Sequence, residues 1–160
     1  MYNIKKAVSR LDFAPKIDEI KITEIKRGLG AFAPKPDKPV SFAALRATLK
    51  KAGYTLASAE ITVVGTLARD DAGLRIEADL SNQQFAIEGD NVKQILGGAD
   101  AGAHVEITGD WQTIEKDATS REVIRPRAAR KVTASWESEL HRYARDLNWE
   151  RSLFQAACLS

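Results

Sequence analysis

Glu60-Ile61-Thr62-Val63-Val64-Gly65-Thr66-Leu67 opens a run of short β-type segments that continues to Arg127 and decides the architecture. Apolar and polar residues alternate along it, as in a half-buried strand. Asp70-Asp71-Ala72-Gly73 follows as a turn, with aspartate suited to its opening and glycine to positive φ. Leu74-Arg75-Ile76-Glu77-Ala78 is the second segment. Ser81-Asn82-Gln83 turns the chain into the third, Phe85-Ala86-Ile87-Glu88-Gly89. A helix-capable stretch, Asn91 to Leu96, precedes His104-Val105-Glu106-Ile107-Thr108-Gly109 and then Glu122-Val123-Ile124. Three strands, a short helix and two strands are the order of a small closed five-stranded barrel. Gly65, Gly89 and Gly109 fall at or near the expected strand ends, where a missing side chain permits bulges and tight coiling.

Towards the N-terminus, Ile4, Val8 and Leu11 share one helical face that Pro15 ends. Ile20 and Ile22 alternate with Glu19, Lys21 and Thr23, which predicts a strand over about residues 18–26. Arg27 to Val40 reads as a loop, because Pro34, Pro36 and Pro39 deny the backbone its donors. Ser41 is a good N-cap for a helix whose buried stripe is Phe42, Leu45, Leu49 and Ala52, and Gly53 supplies its stop.

Towards the C-terminus, Trp136, Leu140, Tyr143 and Leu147 repeat at helical spacing, with Phe154 further along. That stripe predicts an amphipathic helix over residues 134–156. Such a helix spans about 30 Å, more than a small barrel needs as a lid. Folding back on the barrel is its ordinary use. The aromatic residues on one element also suit an interface with a protein partner or a second copy. Its polar face mixes acids with bases, unlike a membrane-surface helix.

The 160 residues suffice for a sizeable core, and their 44% apolar and 29% charged content is that of an ordinary globular domain. No apolar run is long enough to span a bilayer. Basic residues follow Met1 with no apolar run behind them, so the cytoplasm is the default expectation; an exported mature form would leave the same trace. One cysteine, Cys158, and two histidines, His104 and His141, supply neither an intrachain disulfide nor a thiol or histidine metal cluster. No cofactor is expected.

Neither histidine lies in a catalytic motif, and the chain has no G-x-S-x-G, H-E-x-x-H or phosphate-loop pattern. Catalysis is therefore not expected. The net charge of +2 is small, yet Arg121, Arg125, Arg127, Arg130 and Lys131 cluster with Glu122 the only acid among them. Such a run can attract phosphate, and is more often a solvated strand end followed by a polar linker. Trp111 could stack a base if exposed, or plug the barrel end if folded inward. Acids at Glu60, Glu77, Asp79, Glu88 and Glu106 argue against phosphate on several strands.

In strand order and helix placement, residues 58–127 resemble the OB-fold superfamily, which implies a binding or adaptor module. Residues 18–67 look like the first half of a heavy-metal-associated domain: strand, loop, helix, Gly53-Tyr54, strand. That family holds a soft cation with a C-x-x-C pair before its helix. The Arg27–Val40 loop has no cysteine, so the likeness implies a lost metal function.

The expectation is a mainly β (α+β) chain. Residues 1–57 form a strand–helix extension, 58–131 an OB-like barrel and 132–160 a C-terminal amphipathic helix. Its expected work is non-catalytic: an accessory subunit acting by protein–protein association through Trp136, Leu140, Tyr143, Leu147 and Phe154. The alternative is single-stranded nucleic-acid binding through Trp111, Arg121, Arg125, Arg127, Arg130 and Lys131.

Overall fold

A computed structural model describes residues 2–24, 27–116 and 118–132 in full, and the backbone path of residues 154–159. The element order is α1 (Tyr2–Val8), β1 (Lys21–Glu24), β2 (Leu29–Phe32), α2 (Phe42–Lys51), β3 (Thr55–Asp70), β4 (Gly73–Ala78), β5 (Gln84–Ile87), α3 (Val92–Ile95), β6 (His104–Lys116), β7 (Thr119–Lys131) and β8 (Phe154–Leu159). The described residues are mostly β with few helices.

β3 to β7 form a closed five-stranded barrel in the order β3-β4-β5-β7-β6, and β6 returns to pair with β3. Every pair is antiparallel except β5 with β7, which run parallel through Phe85↔Glu122, Ala86↔Val123 and Ile87↔Ile124. Parallel neighbours need a crossover, and this one carries α3 and β6. The turn at Asp70 forms as its residues demand: the Asp70 carboxylate accepts from Ala72 N at 2.9 Å, and Gly73 takes φ +124°.

The strands are longer than the apolar pattern predicts. β3 runs through Gly65 without ending, and pairs there with both Ala78 of β4 and Val105 of β6. A Cβ on Gly65 would overlap the Glu77 carbonyl, and one on Gly109 the Arg125 carbonyl. Both glycines therefore sit inside strands, at points where the barrel coils and a neighbouring backbone crosses close. β6 and β7 extend well past Gly109 and before Glu122 as one long hairpin. Their extra residues are mostly polar or charged and exposed, which hides them from a hydrophobic reading.

The N-terminal segments differ from expectation in two elements. A 3-10 turn at Ile17–Glu19 precedes β1, and the loop expected over residues 27–40 contains β2, antiparallel to β1 with Lys21↔Ala31. The prolines lie after β2 and do not interrupt it. β2 and β3 are both antiparallel to β8, which lies between them; β2, α2 and β3 thus make a split β-α-β unit.

β8 also corrects the C-terminal reading. Phe154, Gln155 and Ala156, expected as the end of a helix, lie in a strand whose backbone pairs on both edges, Phe32↔Phe154 and Glu60↔Gln155 among the contacts. The edges of β2 and β3 would otherwise leave rows of unpaired amides, and satisfying both outweighs continuing a helical stripe. Trp136, Leu140, Tyr143 and Leu147 lie outside the described residues.

One core joins extension and barrel. Val8, Phe13, Ile20, Phe32, Leu45 and Leu49 belong to the same buried cluster as Ile61, Leu67, Ile76, Phe85, Ile107 and Ile124. No helix among the described residues is long and apolar enough to cross a membrane.

Candidate binding cleft

α2 is fixed on the barrel end by its own first turn. Ser41 Oγ accepts from Ala44 N at 3.2 Å, as an N-cap should. Two more helix-terminal amides are satisfied by the barrel: Ala43 N donates to Thr113 Oγ1 at 2.9 Å and Phe42 N to Glu122 Oε2 at 3.2 Å. Glu122 also accepts from Trp111 Nε1 at 2.6 Å and from Thr113 Oγ1 at 2.7 Å. A carboxylate accepts and cannot donate, so converging donors are what a buried Glu122 requires. Phe42 meets the Trp111 ring edge-on, with centroids 5.7 Å apart. Just upstream, the Gln83 amide bonds both Val40 N and Val40 O, at 2.8 and 2.7 Å.

This docking leaves a cleft. β3 and β6 pair from Thr66↔His104 down to Glu60↔Asp110 and then part. Beyond that point β3 runs on with β8, while β6 runs on with β7. The gap, about 550 Å³, lies between Leu56–Ala59 on one side and Asp110–Thr113 on the other, with Phe42 and Arg46 of α2 and Arg125 and Arg127 of β7 completing its walls. Leu56 and Trp111 supply buried apolar floor; Arg46, Ser58, Gln112, Arg125 and Arg127 form an exposed polar rim.

Three of the five basic residues, Arg121, Arg127 and Arg130, are paired with acids on or beside neighbouring strands. Arg121 pairs with Glu88 at 2.6 Å, and Arg127 with Asp110 at 2.7 Å and Glu60 at 3.6 Å. Arg130 forks onto both oxygens of Glu106, at 2.7 and 2.9 Å; that hydrogen bond, and then the charge of Glu106, holds its guanidinium proton more firmly than usual. Arg125 lies opposite Asp110 in register, but the Asp110 carboxylate is engaged by Arg127. Among the described residues, Arg46, Arg125 and Lys131 have no ion pair.

The six residues of the nucleic-acid alternative therefore separate. Trp111, Arg125 and Arg127 meet at the cleft, whereas Arg121, Arg130 and Lys131 do not line it. Trp111 is 1% exposed and lies within β6 opposite Ile124, so its indole is held inward. Of the protein-interface residues, only the backbone of Phe154 is described, in β8. Arg46, Ser58 and Gln112 went unmarked in the sequence because they are remote from one another along the chain. Glu122 stood out there only as the lone acid in a basic run, and that oddity was the available signal.

His104 Nε2 and Asp79 Oδ2 lie 2.7 Å apart, tying the start of β6 to the end of β4. Among the described residues, no group of three or more His, Cys, Asp or Glu side chains is placed to hold a metal ion. No family model, curated protein or solved structure matches this chain.

Proposed function

We propose that the chain is a non-catalytic OB-type binding or accessory module that works by protein–protein association. The strand order with its parallel β5–β7 pair, and α3 placed between the third and fourth barrel strands, support the OB reading. The observation that carries the function is the pairing of Arg121, Arg127 and Arg130 of β7 with Glu60, Glu88, Glu106 and Asp110. A strand with three of its four arginines paired to acids of its own barrel is a poor phosphate track.

In the split β-α-β unit the strand before α2 is β2 and not the strand expected over residues 18–26, so the likeness to half of a heavy-metal-associated domain is carried by another strand than the one expected. The loop before α2 brings no thiol to hold a cation.

Association is assigned to the stripe Trp136, Leu140, Tyr143 and Leu147. Because β8 belongs to the sheet, the stripe is tested by substitution and not by truncation. Light scattering on the full chain should give a mass above the 17.6 kDa of one copy. Trp136→Ser with Tyr143→Ser should return it to that mass with its circular dichroism unchanged. A full chain that is monomeric at every concentration contradicts self-association.

A further inference from the structure

We propose that the β3–β6 cleft binds an acidic, extended polypeptide segment of a partner, a specificity that rests on the association reading above. The cleft is bounded by three arginines from two elements, Arg46 on α2 and Arg125 and Arg127 on β7. It contains one carboxylate, Asp110, which Arg127 already engages at 2.7 Å. Arg46 and Arg125 are exposed, and among the described residues neither has an ion pair, so the described lining of the cleft carries uncompensated positive charge. An anionic ligand is the complementary one.

The rest of the lining selects the kind of anion. Leu56, Phe42 and Trp111 give the cleft an apolar base, and Ser58, Gln112 and Thr113 add hydroxyl and amide groups. The α2 amides of Phe42, Ala43 and Ala44 are already bonded, so the helix N-terminus does not provide a phosphate cradle. Trp111 faces inward and cannot serve as a stacking platform for successive bases. The volume, about 550 Å³, suits a few side chains and not a tracked strand. An extended segment alternating carboxylate and aliphatic residues meets each of these features: acids to Arg46 and Arg125, aliphatic groups to Leu56 and Phe42.

The test is fluorescence anisotropy with the full chain and a labelled, capped peptide of alternating glutamate and leucine. Binding should weaken about tenfold when glutamine replaces the glutamates, and about tenfold for Arg46→Glu or Arg125→Glu. Lys131→Glu, a charge reversal outside the cleft, should leave it unchanged. The cleft assignment is overturned if both arginine variants bind like the parent chain. It is equally overturned if inorganic phosphate alone displaces the peptide at comparable concentration, or if a single-stranded oligonucleotide of equal charge binds more tightly. Native mass is read on the same samples. A chain larger than one copy that ignores the peptide overturns the cleft and leaves association standing.

Discussion

Glu122 accepts the indole N–H of Trp111 at 2.6 Å, and through that bond the centre of the barrel end is joined to the start of α2. The same carboxylate takes Thr113 Oγ1 and Phe42 N. Helix, β6 and β7 are therefore held by one side chain, and the cleft beside them inherits its shape from it.

Glu122→Ala should destabilise the fold by about 2–4 kcal/mol, since it leaves buried donors without an acceptor. Glu122→Gln should cost less but not nothing, because its amide turns a donor towards other donors. Urea unfolding measures both, and loss of near-ultraviolet dichroism would show Trp111 released.

Gly65→Ala and Gly109→Ala should each cost about 1–3 kcal/mol or more, through overlap with the carbonyls of Glu77 and Arg125. Gly53→Ala, with open space around its Cβ position but φ +87°, is the control for backbone strain without crowding. Equal losses at all three sites would mean that close strand crossing is not what the barrel glycines provide.

Ala157→Pro should break the β8 ladder, because a central strand cannot spare an amide. Hydrogen exchange should then rise at Leu29–Phe32 and Thr55–Glu60, which β8 separates and pairs, and stay slow across β6 and β7. Uniform protection in the variant would refute the placement of β8.

Asp100 accepts from Ala101 N at 2.9 Å and from Arg69 at 3.1 Å, which together hold its carboxyl below the ordinary value of 3.8. The charged form is thus favoured in the folded state. Its contribution is complete above pH 3.8 and is lost as pH falls through the lower folded value. Asp100→Asn should therefore lower stability slightly at neutral pH, where the charged form contributes, and flatten the acid limb below pH 3.8. A steeper acid limb in the variant would contradict it.

Much of the barrel was readable because its local signals agree. Asp70-Asp71-Ala72-Gly73 specifies a tight turn, and the alternation around Ile61 and Ile76 sets which face is inward. β2 was missed because Gly30 and the flanking prolines resemble a loop, while its pairing with β1 and β8 is settled by partners elsewhere. β8 was missed for a related reason. Phe154 continues the spacing of Trp136, Leu140 and Leu147, and nothing local announces that two strand edges are waiting for Ala156 and Ala157. The cleft was least legible of all, since Arg46, Ser58, Gln112 and Arg125 come together only when β3 and β6 part after Glu60 and Asp110.

The reading of Arg121, Arg127 and Arg130 as paired within the barrel is tested most directly by the salt dependence of single-strand binding. Anisotropy of a labelled oligothymidine should be followed with the full chain at about 20 mM and about 150 mM salt. The account predicts weak binding at low salt that vanishes at the higher concentration. Tight binding that falls steeply with salt, with Arg121→Ala and Arg130→Ala each reducing the slope, would show these arginines to be on phosphate and not on Glu88 and Glu106.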